Sequence, residues 1–172
     1  MSKPPRSPYP PDLADGPAAE VTFGDLVDVL ATDLDWANQR SHGLSANRVE
    51  FRRCRLTGTE LAESILRDVT FDECRVDLVG LRYAQLERVV FRDCRMSECD
   101  FSGASLKDVF FERCELREAT FSAASLQRVE LRGCDLAGVR GGEALRGARM
   151  PWNDILQNGP LFANVLGIEI VE

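Results

Sequence analysis

Residues 51–136 read, in groups of five, FRRCR LTGTE LAESI LRDVT FDECR VDLVG LRYAQ LERVV FRDCR MSECD FSGAS LKDVF FERCE LREAT FSAAS LQRVE LRGCD L. Each group opens on a large apolar residue, from Phe51 to Leu136, in eighteen slots with no miss and no insertion. Two residues before each opener lies a small or β-branched residue, as at Val49, Cys54, Thr59 and Ser64. A helix turns about 500° in five residues and would scatter these side chains round its circumference. A straight strand would send alternate openers to opposite faces. What fits is a chain that turns a corner every five residues, with the large and the small member of each group pointing inward.

A slower beat of twenty overlies the five. Phe51, Phe71, Phe91 and Phe111 form one column, closed by Leu131, and Cys54, Cys74, Cys94, Cys114 and Cys134 form another. Four groups per turn place residue n over residue n+20. The implied body is a square-sectioned parallel coil with neighbouring turns about 4.8 Å apart.

With this spacing, residues 34–150 resemble the pentapeptide repeat family. The resemblance implies an all-β solenoid, a right-handed quadrilateral parallel β-helix. The residue before each opener, often Asp or Asn in that family, is here mostly another type, as at Arg55, Arg75 and Gln85.

Outside the repeat the pattern changes. Residues 1–20 are expected to be a flexible Pro-rich tail, because six of the eight prolines fall in 1–17 and no apolar period exists. Residues 21–48 read as an N-terminal cap (Val21, Phe23, Leu26, Val29, Leu30, Leu34) and a degenerate first coil, since Gln39 and Ser41 break the apolar frame. The β-helix is assigned to 49–140. Residues 141–172 leave the frame at Gly141, Gly142 and Arg146. There Trp152, Ile155, Leu156, Leu161, Phe162, Val165 and Leu166 predict a short helical cap broken near Gly159–Pro160, and Ile168 and Ile170 predict a short strand. In relatives of the quinolone-resistance type a similar C-terminal helix builds a two-fold dimer. The resemblance and the surplus of apolar residues make those seven the candidate interface of a homodimer.

The chemistry-bearing residues are sparse. Five of the six cysteines lie in one column, with no CxxC and a single histidine, His42. Thiols strung along a line do not converge on a metal, so small-residue packing of reduced thiols is expected, with no cofactor. No nucleophile elbow, phosphate loop or metalloprotease motif is present, and no enzyme is expected. The outward columns are more informative. Arg52, Asp72, Arg92, Glu112 and Arg132 alternate in sign, as do Asp68, Arg88, Asp108 and Arg128. They read as solvated, self-neutralising ladders that pin register. Arg55, Arg75 and Arg95 break the alternation. They are either compensated by Arg53, Glu73 and Asp93 or form a surface for an anionic partner. Phe110, beside Val90, reads as exposed, either an apolar contact spot for a partner or simply filler.

Net charge is -7, from 21 basic and 28 acidic residues. An acidic chain is poorly suited to bind nucleic acid directly. No apolar run suits a membrane span and no leader is apparent, which with six unpaired-looking cysteines suggests a cytoplasmic location. The reading is a non-enzymatic interaction scaffold. Resemblance to the quinolone-resistance type implies a DNA-mimic modulator of a type II topoisomerase, DNA gyrase. The acidic total agrees with mimicry, whereas the repeat body 51–140 carries a net of only -1 and no loop interrupts 49–138. The alternative is a small-ligand binder or enzyme using an end-cap pocket in 21–48 or 141–172.

Overall fold

The computed structural model describes residues 3–12 and 23–171. Strands β1 (Leu26–Thr32), β2 (Ser45–Arg52), β3 (Ile65–Asp72), β4 (Gln85–Arg92), β5 (Ser105–Glu112) and β6 (Ser125–Arg132) pair in parallel, in chain order. The register is twenty throughout, with Val49 beside Val69, Val69 beside Val89 and Val89 beside Val109. Each strand spans two sides of the coil. The other two sides are joined by single parallel bridges such as Arg55 to Arg75 and Glu60 to Gly80. The result is the four-sided parallel solenoid that the period predicts, about five turns long.

The corners have one cause. Every fifth residue from Asp28 to Gly138 is left-handed, with φ between +50° and +72°. Most of these residues are not glycine, and the conformation costs an L-residue roughly 1–2 kcal/mol. Ladder bonds one turn on help hold the corners: Arg53 N donates to Asp72 O at 2.9 Å and Glu73 N to Arg92 O at 3.0 Å. At Gly103, left-handed at φ +67°, a Cβ would lie 2.5 Å from the exposed Tyr83 ring one turn below, so a larger residue there is strained and would push that ring aside.

Inside, the openers stack. Phe51, Phe71, Phe91 and Phe111 lie nearly parallel with ring centroids 4.9, 4.8 and 5.2 Å apart. Phe101 and Phe121 stack at 4.9 Å, and Phe101 meets Phe111 edge-on at 6.0 Å. All eighteen openers are buried except Leu126, which is half-buried because the turn above it is incomplete.

The ends differ from expectation. Leu26–Thr32 is the first strand of the solenoid, so the coil begins well before residue 49; Val21 lies outside the described residues. The first coil is regular despite Gln39 and Ser41, because backbone bonds carry it: Ser41 N donates to Glu60 O at 2.9 Å. Phe23 and Trp36 pack edge-on at 5.5 Å and close that end. Of the expected tail, residues 1–2 and 13–20 lie outside the described residues. Residues 3–12 do not hang free; they run along one corner of the stack.

At the other end the frame stops in a 3-10 turn, Gly142–Leu145, followed by helices α1 (Trp152–Gln157) and α2 (Gly159–Leu166). Asn158 makes the break. It is buried, accepts from Leu136 N at 3.0 Å and donates to Cys134 O at 3.2 Å and Asp154 O at 2.9 Å. The strand expected at Ile168 and Ile170 does not form, and both side chains are exposed. Part of the last coil edge is already taken, since Leu131 N donates to Arg149 O.

Candidate functional site

The packed interior leaves the surface to do the work. Among the described residues no three His, Cys, Asp or Glu side chains converge on a metal position. All six thiols are buried and unpaired. Each thiol of the column donates to a backbone carbonyl, as Cys74 Sγ does to Phe51 O at 3.4 Å. Burial pushes the Cys99 thiol up to about 12. His42 is exposed in the first coil. A groove beside the last coil, lined by Asp135, Gly138, Asn158, Leu161 and Asn164, offers one carboxylate and no nucleophile.

The arginine column is resolved by its ends. Asp35 lies one turn below and Glu115 one turn above, giving the order Asp35, Arg55, Arg75, Arg95, Glu115, Asp135. Arg55 Nη1 meets Asp35 Oδ2 at 3.1 Å, and Arg95 Nε lies 3.9 Å from Glu115 Oε2. Of the residues two earlier, Arg53 is itself cationic and holds Asp33, and Asp93 holds Arg113 through two bonds. Arg75, exposed in the middle, has no ion-pair partner among the described residues. The column is therefore a neutralised ladder with one spare guanidinium.

The other alternating columns also depart from the expected pairing. Arg92 bonds Glu112 at 3.0 Å, but Arg52 and Arg132 turn to Glu50 and Glu130 on their own strands. The Asp68 column is not a solvated ladder. Asp68 and Asp108 are buried, at 6% and 1% exposure. Arg88 and Arg128 from the next turn clamp them with two bonds each, and Arg48 clamps Asp28 alike. The Arg48 bond and the Asp12 N–H hold Asp28 at about 2. Burial of Asp68 opposes ionisation, but the Arg88 and Tyr9 N–H bonds outweigh it and the carboxyl stays below its usual range.

What buries this corner is the proline-rich segment. Phe110, expected to be exposed, is half-buried, and Val90 is 8% exposed; both line grooves shared with Arg6 to Pro11. The Arg132 guanidinium sits 6.0 Å from the Phe110 ring. The sequence carried a signal for this contact that composition alone hides: N–H groups stand at residues 3, 6, 9 and 12, with proline at five of the six positions between.

The C-terminal candidates divide. Leu161 packs on the core, while Ile155 and Phe162 are half-buried. Trp152, Leu156, Val165 and Leu166 are 71%, 61%, 40% and 72% exposed. No helix among the described residues is long and apolar enough to cross a membrane.

Comparisons with known proteins agree with this geometry. Residues 45–121 match the family model for the pentapeptide repeat region, and residues 114–140 match that for pentapeptide repeats in eight copies. No curated protein matches the chain. Among solved structures, a pentapeptide repeat protein from the Arabidopsis thaliana thylakoid lumen is 15% identical over 57% of this chain and 69% of its own, with a TM-score of 0.54. HetL from the cyanobacterium Nostoc, involved in heterocyst differentiation regulation, is 19% identical over 74% of this chain and 73% of its own, with a TM-score of 0.46. QnrB1, a plasmid-mediated fluoroquinolone resistance protein, is 18% identical over 86% of this chain and 99% of its own, with a TM-score of 0.33. The first of these carries the likeness of fold; the other two superpose too loosely to carry an argument. With the unbroken period, the left-handed corners and both family models in agreement over residues 45–140, the chain belongs to the pentapeptide repeat family.

Proposed function

We propose that the chain is a non-enzymatic protein-interaction scaffold of the cytoplasm that dimerises through its C-terminal helices. The observation that carries this reading is the pairing of a filled interior with an apolar end lacking a cover: Trp152, Leu156 and Leu166 are all more than half exposed. Three such side chains on two short helices favour a second copy, and two-fold pairing is the commonest symmetry for soluble homo-oligomers. Six unpaired thiols suit a reducing compartment. Light scattering tests the assembly: a two-chain mass is expected, and a single-chain mass refutes it.

The more specific version is a DNA-mimic modulator of a type II topoisomerase such as DNA gyrase. The chain's charge of -7 supports it. The neutralised ladders weigh against it, because paired charges project little field beyond about 10 Å in physiological salt. Gyrase supercoiling in the presence of the purified protein decides for that enzyme: inhibition assigns the partner, and unaffected supercoiling removes gyrase while leaving the scaffold.

A further inference from the structure

The proline-rich segment meets the stack through a repeated device. Asp108 Oδ1 accepts from Arg6 N at 3.1 Å, Asp68 Oδ1 from Tyr9 N at 3.0 Å, and Asp28 Oδ1 from Asp12 N at 2.9 Å. The same carboxylate oxygen is used each time, and the same Arg fork from the next turn orients it. Three residues of segment answer two turns of stack. A polyproline II helix advances about 9.3 Å in three residues and presents every third residue on one side. Two turns at the ladder spacing span about 9.6 Å. A β-strand would turn Arg6 and Tyr9 to opposite sides, so the threefold screw is what brings successive N–H groups onto one line of carboxylates. Proline between those positions loses nothing, because no carboxylate waits there.

We propose that the Asp28–Asp68–Asp108 corner is a recognition rail for polyproline II segments that carry an N–H at every third residue, that residues 3–12 occupy it in cis, and that a partner's proline-rich segment with this spacing takes it in trans. The rail reads backbone, not proline rings. Asp68 and Asp108 are buried and Asp28 is half-buried, all three are oriented by arginine, and their spacing matches the screw of the ligand. Val90 and Phe110 supply the apolar floor, and Arg88 lies 5.8 Å from the Tyr9 ring. The tethered segment competes at high effective concentration, so it sets a threshold for any partner. This extends the scaffold reading by naming a partner chemistry, and its failure would leave the dimer and gyrase outcomes untouched.

The test uses the full chain carrying Arg6→Pro, Tyr9→Pro and Asp12→Pro, which removes the three donors from the tethered copy and vacates the rail. The probe is a fluorescein-labelled peptide of residues 3–12. Fluorescence anisotropy is expected to show saturable binding to this variant and at least about tenfold weaker binding to the natural chain. N-methylation of the peptide at Tyr9 removes one hydrogen bond to a charged acceptor and is expected to weaken binding by about tenfold or more, whereas N-methylation at Ser7 leaves it unchanged. In the natural chain, amide exchange is expected to be slower at Arg6 and Tyr9 than at Ser7. Absence of saturable binding to the variant, equal binding to both chains, equal loss from the two methylated peptides, or equal exchange at Ser7 and Tyr9 would each overturn the proposal.

Discussion

Phe91 and Arg92 are neighbours with opposite roles. Phe91 is fully buried, stacked between Phe71 and Phe111, so truncation removes contacts on both sides. Phe91→Ala is expected to cost about 3–5 kcal/mol in urea denaturation. Arg92 is a partly exposed rung bonded to Glu112, and Arg92→Ala is expected to cost under about 1 kcal/mol. Equal midpoints for the two variants would contradict the inward and outward assignment. At Asp28, Asp68 and Asp108 the folded pKa lies below the usual carboxylate value. Such groups stabilise fully above the unfolded pKa of about 3.9 and lose that contribution as pH falls through the folded value. Acid titration from about pH 4 to about pH 2 is therefore expected to release the segment 3–12, seen as faster exchange at the Tyr9 amide, before β circular dichroism is lost. Coincident loss of the two signals would contradict this order.

At the scale of elements, the strands hold one another through one continuous ladder, whereas the C-terminal helices meet the coil through two polar anchors, Asn158 and Asp154, whose Oδ2 accepts from Gly133 N at 2.6 Å. Asn158 satisfies Leu136 N and Cys134 O, which would otherwise face the underside of the helices without partners. Asn158→Ala is expected to cost about 1–3 kcal/mol, the penalty of leaving buried groups unbonded. Amide exchange should accelerate at Leu136 and across Gly159–Leu166 while β3 and β4 stay protected. Uniform acceleration through the stack would show instead that the helices and coil unfold as one unit.

For the whole molecule, the filled coil and its two dissimilar ends set what it can do. One end is sealed by Phe23 and Trp36. The other leaves Leu156 and Leu166 in solvent. The double variant Leu156→Glu, Leu166→Glu changes only exposed positions, so its β circular dichroism is expected to match that of the natural chain. Its light-scattering mass is expected to fall to that of one chain. A two-chain mass retained by this variant would move the interface elsewhere.

The solenoid is legible in the order of the residues alone. The core columns stack residues twenty apart, and a periodic pattern is legible because the same demand, one large and one small residue inward per side, recurs at each turn. Cys54 to Cys134 and Phe51 to Phe111 could thus be read as columns, and so could the identities of the outward ladders. Tertiary structure decided what falls outside that period. The contact of Arg6 with Asp108 spans 102 residues, and that of Tyr9 with Asp68 spans 59. Whether an aspartate in an alternating column faces water or a backbone N–H depends on which segment lies over its corner, and no column pattern reports that. The regular first coil escaped for a related reason: side chains such as Gln39 and Ser41 advertise a broken frame, while the ladder that holds the coil is made by backbone groups identical at every residue.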